Sequence, residues 1–504
     1  MLKRSCWWAG PSILTALLIA LTAATSAQQG APQRLAQRWA HPLRGSLPQA
    51  VVVDPRDDRQ LFVALKQGGL AVLRAPEGGR EPREVARLPV ARFGGLHVMH
   101  LDLQGTTLYA ALGDLFAARG SKAGLAAIDV RDAAHPVVLG TWASGETLGG
   151  AAAVAVRGRY AYLAAMSAGV MVFDVEAPAA IRHLTTVLPD PNFPRPNPTR
   201  TQRPNARGLA LAGEHLYVAN DAGGVRVLDL RDPAHPTESG RYVNAGMGTR
   251  QQAYNSLVVD GTLLYAAIDY AGVEVLDVSN PVAIRQVAWW NPWHAGTNAN
   301  LWFNSPGHTN QLAFDAVRRL LYVSAGDSEL QVVSVADPRQ PSLVAVHGEP
   351  RNGRGVWGVT LGPADVYLTY ITTLVPFRGT WSGLVSVEPA HQGASAGRLE
   401  RGNIAGTWEA TVVPPGLAAF HLRMEGEELT GTLRADDSPP VVVRNGRVRS
   451  ADTITFEHVL PGGDGTVLLF IGRVEPAEMR LAVTAIRGPA STGTRNFSAV
   501  RVAP

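Results

Sequence analysis

The sequence predicts an all-β chain: a seven-bladed β-propeller closed by an N-terminal strand, followed by a small up-and-down β-barrel-like domain. Three observations carry this. A unit of roughly 45–55 residues made of short alternating runs recurs along the chain. A tyrosine or phenylalanine marks the same place in each unit, and an Asp/Asn-Pro turn follows most of them. Beyond residue 402 the repeat stops and a different strand spacing begins.

Residues 1–27 read as an export signal. Lys3 and Arg4 supply a charged start, Ile13–Ala24 an apolar stretch, and Thr25-Ser26-Ala27 a small-residue cleavage site. The apolar stretch falls short of the ~20 residues that cross a bilayer, and no second long run follows, so no transmembrane anchor is expected. The only cysteine, Cys6, lies inside this segment, which leaves the mature chain without disulfide or thiol chemistry. Lys3, Lys66 and Lys122 are the only lysines among 46 basic residues, and the net charge is +4. No basic run carries the aromatic interleaving of a nucleic-acid groove, so nucleic acid is not an expected partner.

The propeller is assigned to residues 34–389. Each unit holds four strands, A to D. Strand A is a short apolar run ending in a turn, as in Leu257-Val258-Val259-Asp260-Gly261. Strand B carries Phe62, Tyr109, Tyr162, Tyr217, Tyr265, Tyr322 or Tyr367. Strand C follows a glycine and alternates, as in Gly272-Val273-Glu274-Val275-Leu276-Asp277-Val278, and strand D ends near an aromatic at Trp142, Tyr242 and Trp290. Period-two alternation and β-branched residues argue strand over helix. Asp132–Pro136, Asp232–Pro236, Asn280-Pro281 and Asp337–Pro341 turn the chain between C and D, since proline fixes φ and cannot extend the ladder. The last unit lacks a D strand. Leu35–Pro42, with Trp39, matches the D pattern and is expected to complete blade 7, which removes an open edge.

Strand C and its turn resemble the LVIVD-repeat family of exported bacterial proteins. The resemblance implies a propeller fold and an extracytoplasmic location, periplasmic, cell-surface or secreted; it implies no reaction.

Residues 390–402, rich in small residues and charge, read as a linker, and residues 403–504 as the C-terminal domain. Its short strands include Gly406–Thr411, Glu428–Leu433, Thr453–Phe456 and Phe497–Arg501, and Gly406-x-Trp408 is similar to the start of a lipocalin-type barrel. That resemblance implies an apolar ligand; a packed accessory domain is the other reading.

The A–B and C–D turns are short, whereas the D–A and B–C connections are long: Pro189–Ala206, Asn244–Ala253, Asn291–Gly307, Gly113–Ala123 and Thr372–Ser382. Long loops gathered around one mouth of the channel are the expected binding face. Aligning the units places Ala50, His100, Ala153, Gly208, Ser256, Gln311 and Gly358 at one level of the channel. Leu47, His97, Gly150, Asn205, Ala253, His308 and Gly355 then lie at its rim. Imidazoles at His97, His100 and His308 could hold a transition metal or act as acid and base, against the reading that they are hydrogen-bonded to loop carbonyls. Asp114, Asp221, Asp269 and Asp327 recur after strand B, where they read either as turn residues or as Ca2+ ligands. Trp289-Trp290-Asn291-Pro292-Trp293-His294, continuing to Trp302 and Phe303, is the richest aromatic cluster. Trp293, Trp302 and Phe303 fall on its loop and are the candidates for stacking on a ligand. Arg195, Arg200 and Arg203 decorate the proline-rich Pro189–Pro204 segment, a docking arm or a stiff cover.

Two functions stand at this point. The first is an exported binding or interaction module, with no cofactor, whose protein or carbohydrate partner meets Trp293, Trp302, Phe303, Asn205, His97 and His308 on the long-loop face. The alternative is a metal-dependent propeller enzyme, an oxidoreductase or hydrolase, using His97, His100 and His308.

Overall fold

The computed structural model describes residues 31–77, 81–117, 120–194, 204–300, 302, 304–373 and 377–390. In the C-terminal part it describes residues 406–410, 419–425, 428–434, 440–448, 453–459, 466–474, 478–487, 490–491 and 495–502. The signal segment and nearly all of the predicted linker lie outside these residues. Among the described residues no helix is long and apolar enough to cross a membrane.

Residues 33–387 form seven sheets, the blades of a propeller, each built on four antiparallel strands. The innermost strands are Ala50–Asp54, Val98–Gln104, Ala153–Arg157, Gly208–Ala212, Tyr254–Asp260, Leu312–Asp315 and Val356–Leu361. Every strand B aromatic named above is buried, and three of the hydroxyls reach beyond their own sheet: Tyr162 Oη donates to Pro233 O (3.2 Å), Tyr322 Oη accepts from Ala390 N (2.9 Å), and Tyr265 Oη accepts from Arg319 (3.3 Å). An aromatic body in the core with a polar tip at its border thus serves both packing and blade-to-blade registry.

The outer strand of all seven blades carries one extra residue at the same place: Val85, Leu139, Leu184, Ser239, Val287, Val344 and Arg38. Such a bulge bends the strand and interrupts the exposed ladder, which hinders edge-to-edge pairing with another chain. Arg38 belongs to the N-terminal strand. Gln37–Pro42 pairs antiparallel with Gly383–Val387 of blade 7, the predicted closure, and it repeats the bulge of the other outer strands. Trp39 is 7% exposed and packs on Tyr367 at 5.9 Å. Arg38 pairs with Asp365 at 2.9 Å.

One element was not foreseen. Gln33–Arg34 adds a fifth strand to blade 6, running parallel to Ser342–His347. Leu35, between the two N-terminal strands, is buried, and its N and O bond Val346 O (2.9 Å) and the His347 ring (3.0 Å). The N-terminal segment therefore staples blade 6 to blade 7.

In the C-terminal part, eight of the strands pair in an order that returns on itself: Gly406–Ala410 lies between Ala419–Glu425 and the last strand, Arg495–Val502, and Ala419–Glu425 also pairs with Glu428–Arg434. Trp408, Phe420, Phe456 and Phe470 are buried in one cluster, with the last two stacked at 4.7 Å.

The staple gives a stability prediction. Replacing Trp39 by Ala should lower propeller stability by about 3–5 kcal/mol, the usual loss for a buried aromatic. Denaturant midpoints followed by tryptophan fluorescence check this, and an unchanged midpoint would mean that blade 7 holds without the N-terminal strand.

Candidate functional site

The seven innermost strands each leave one edge facing the axis, so their backbone groups need partners other than a neighbouring strand. Side chains of adjacent blades supply many of them. Val154 N donates to His100 Nδ1 (3.4 Å) and Val156 N to Asp102 Oδ2 (2.6 Å). Gln104 completes this series by exchanging two 2.9 Å bonds with Gly158. Elsewhere Thr360 Oγ1 donates to Val51 O (2.7 Å), Gln311 Nε2 to Gln49 O (3.0 Å) and Asn255 Nδ2 to Thr309 O (2.9 Å). A cavity of about 320 Å³ remains on the axis, and Ala50, His100, Ala153, Gly208, Ser256 and Gln311 all line it, at the level aligned from the sequence. Burial pushes the His100 imidazole down to about 4 and the Asp102 carboxyl up to about 6, the latter against the bond from Val156 N.

At the rim the two residue sets read separately from the sequence meet. His97 Nδ1 lies 3.3 Å from Asp114, whose other oxygen is 3.2 Å from Lys66 Nζ. Asn205 Nδ2 donates to Asp221 Oδ2 (3.1 Å). His308, 1% exposed, bonds Asp269 Oδ1 through Nδ1 at 2.6 Å, and Trp302 Nε1 donates to Asp269 Oδ2 at 3.1 Å. Asp327, the fourth acidic position, is pushed up by burial, with His308 opposing the shift. These aspartates hold rim side chains as well as turn amides. Among the described residues no group of three or more His, Cys, Asp or Glu could hold a metal ion; His100 accepts from Val154 N and His308 bonds Asp269, while His97 Nδ1 lies near Asp114 without a hydrogen bond.

The aromatic loop divides. Trp293, expected at the surface, is 7% exposed: it packs edge-on against Trp290 (6.0 Å), and its ring lies where a Cβ on Gly307 would sit. It belongs to the core rather than to a contact face. Trp302 is half-buried and stacks on Tyr270 at 5.3 Å and 17°. Phe303 lies outside the described residues. Three aromatics that sequence reasoning did not single out extend the row around the mouth. Phe377 lies 6.1 Å from His308, Trp357 lines the channel, and Phe116, 44% exposed, meets Trp357 edge-on at 5.3 Å with Lys66 Nζ 5.1 Å above its ring. Trp357 precedes the channel-level Gly358 by one residue, so the same alignment could have found it.

Two buried charges brace the loops of this face. Arg226, with no exposed surface, pairs with Glu238 (2.8 Å), donates to the carbonyls of Asp190 (3.0 Å) and Phe193 (3.1 Å), and lies under the Phe193 ring at 4.8 Å. It holds Pro189–Pro194 against blade 4; Arg195, Arg200 and Arg203 lie outside the described residues. Glu274, at the equivalent position in blade 5, accepts from Tyr254 Oη (2.7 Å), Tyr242 Oη (2.8 Å) and Gln286 Nε2 (2.6 Å). Tyr254 and Gln252 in turn bond Asn244, which anchors the 244–253 loop. Burial pushes Glu274 up to about 7, its three donors opposing.

Comparison with known proteins agrees with the architecture. The LVIVD repeat family matches residues 148–186 and 204–244, which cover blades 3 and 4. No curated protein matches the chain in sequence. Among solved structures, the WD40 repeats of RRP9 superpose with a TM-score of 0.52 at 16% identity, covering 71% of this chain and 99% of that one. The C-terminal WD40 domain of Sif2 gives 0.49 at 11% identity, covering 72% and 100%. The chain is a seven-bladed propeller that carries LVIVD repeats.

The Glu274 network predicts a pH signature. A carboxyl whose folded pKa (about 7) exceeds its unfolded value (4.5) adds stability in acid that is lost as pH rises through about 7. Glu274→Gln should therefore gain relative to the parent between pH 5 and 8, by up to about 3 kcal/mol. Melting curves of both proteins across that range check this, and parallel pH profiles would refute it.

Proposed function

We propose that this chain is an exported binding module whose protein or carbohydrate partner docks on the long-loop face of the propeller. One observation supports this best: Trp302 on Tyr270, the Asp269–His308 pair and the Phe116–Trp357 contact all lie around one channel mouth. Stacking faces of Trp and Phe, each next to an anchored hydrogen-bonding group, are the composition of a contact surface. Phe116, Trp302 and His97 are half-buried or exposed and are assigned the contacts, with Asn205 at the rim; His308 positions Asp269 and Trp302 from below.

A metal-dependent or acid–base enzyme is the second reading, favoured by the buried 2.6 Å Asp269–His308 pair alone. Metal analysis of tag-free protein, with a His97→Ala/His308→Ala variant beside it, separates the two. About one metal per chain that vanishes in the variant makes the enzyme reading lead.

Binding to a glycan array and to surface-protein fractions should identify a partner whose affinity falls at least ~30-fold in Trp302→Ala, the size of an interface hot spot, while the melting temperature stays within a few degrees. A partner bound equally by Trp302→Ala and Phe116→Ala would move the docking surface elsewhere. Export predicts processing after Ala27, so intact mass of the protein made in a bacterial host should place the mature N-terminus at Gln28. Retention of residues 1–27 would overturn it.

A further inference from the structure

Where the N-terminal strand hands over to blade 1, the long-loop face carries a second cavity, of about 520 Å³. Arg44, on the connection that leaves the strand, lines it together with Gln67 from the B–C loop of blade 1 and Thr372, Trp381 and Ser382 from the B–C loop of blade 7. That volume is ordinary for a small-molecule site. Gln67 follows Lys66, whose Nζ lies 5.1 Å above the Phe116 ring, so the cavity adjoins the aromatic row of the mouth.

Trp381 is the one aromatic among the described lining residues, and it is held in place. It is half-buried, packs edge-on against Tyr370 (5.4 Å, 71°), has the Arg354 guanidinium 4.8 Å from its ring, and lies where a Cβ on Gly383 would sit. Tyr370, Arg354 and Gly383 stand behind the ring; none of them lines the cavity that Trp381 does. The floor is the closure joint itself: Leu43 N donates to Ser382 O (3.1 Å), Ser46 N to Leu43 O (3.1 Å) and Ser382 Oγ to Ser46 O. Gln67 Nε2 donates to Gly45 O (3.2 Å). A carbonyl only accepts, so this amide cannot flip, and Oε1 is left as an acceptor on an exposed side chain. Arg44 and Thr372 are exposed as well, and neither side chain has a hydrogen bond or ion pair among the described residues. The cavity thus offers one anchored indole with an accepting amide oxygen, a guanidinium and a hydroxyl, all three polar groups on solvent-exposed residues.

We propose that this cavity binds one or two sugar rings of a glycan, with a C–H face of the sugar on Trp381 and its hydroxyls on Gln67 Oε1, Arg44 and Thr372. A pyranose ring is apolar on its faces and fringed by groups that both donate and accept, which matches what the cavity offers. A flat apolar ligand would leave the polar groups unused, and a purely polar one would gain nothing from the indole. The site deepens the loop-face reading and rests on it: of the two partner classes named there, the glycan is the one this cavity fits.

Titration calorimetry on the full mature chain tests it with cellotetraose, tetraacetylchitotetraose and maltotetraose as probes, and with cyclohexanol, a ring bearing one hydroxyl, as control. At least one probe should bind at about 1 mM or tighter, with the control at least about tenfold weaker. Trp381→Ala should weaken that probe by at least about tenfold, Trp381→Phe should restore part of it, and Gln67→Leu should weaken it several-fold. Melting temperatures confirm that each variant is folded. Sugar binding that survives Trp381→Ala, or a control that binds as well as the probes, would overturn the assignment of this cavity. No probe bound by the parent would overturn the glycan; a protein partner lost in Trp302→Ala would then keep the loop-face reading standing, and the lack of any partner would sink both.

Discussion

A ring of blades holds only if its last sheet is tied to its first residues, and here that tie is one short stretch of backbone. Gln37–Pro42 gives blade 7 its outer strand and Gln33–Arg34 adds a fifth strand to blade 6. With its single cysteine at position 6, the chain has no disulfide to do the same work. Everything on the axis depends on this joint. The inner strands pair with nothing across the channel, and their spacing is set by the circumference that the joint closes.

Closure explains why polar residues sit so deep. An all-apolar axis would leave the inner backbone edges unpaired, so His100, Asp102, Gln104 and Thr360 act as links between neighbouring blades. The same economy governs the rim, where Asp114 pairs with Lys66, Asp221 holds Asn205, and Asp269 holds both His308 and Trp302. The strand C position that is Ala71, Ala126, Met171 and Val385 in blades 1, 2, 3 and 7, and Gln331 in blade 6, becomes Arg226 and Glu274 in blades 4 and 5, and each is buried with its donors or acceptors matched by neighbouring groups. A buried charge stays tolerable only when its neighbours saturate it, so these two sites also fix where the attached loops lie.

The propeller was legible because its signals repeat: alternation, the strand B tyrosine, the turn proline. Their alignment puts His100, Ser256 and Gln311 on the channel wall, and all three line the axial cavity. Trp39 was readable as an outer-strand aromatic because it matches Trp142 and Trp290. Features without a pattern escaped. Gln33–Arg34 is too short to alternate, and the bulge is a single uncoupled residue whose identity varies from Val85 to Arg38. Trp293 falls on a loop, and loops are usually exposed; Gly307 beneath it lacks the side chain that would hold it out. The pairing of Asp269 with both His308 and Trp302 joins residues 39 and 33 positions apart, a contact that only tertiary folding creates.

The staple also orders the assembly in time. During synthesis the N-terminal strand is among the first parts to emerge, yet its partners, Ser342–His347 and Gly383–Val387, are made more than 300 residues later. Blades 1 to 5 can close locally as they appear, each from contacts within its own unit, while the strand that completes the ring must wait unpaired. The slow step of folding is then a single long-range search by one end of the chain for the other. A chain cut short anywhere before Gly383 would hold six blades or fewer and leave Gln37–Pro42 with nothing to join, so partial products are marked as incomplete by an open edge.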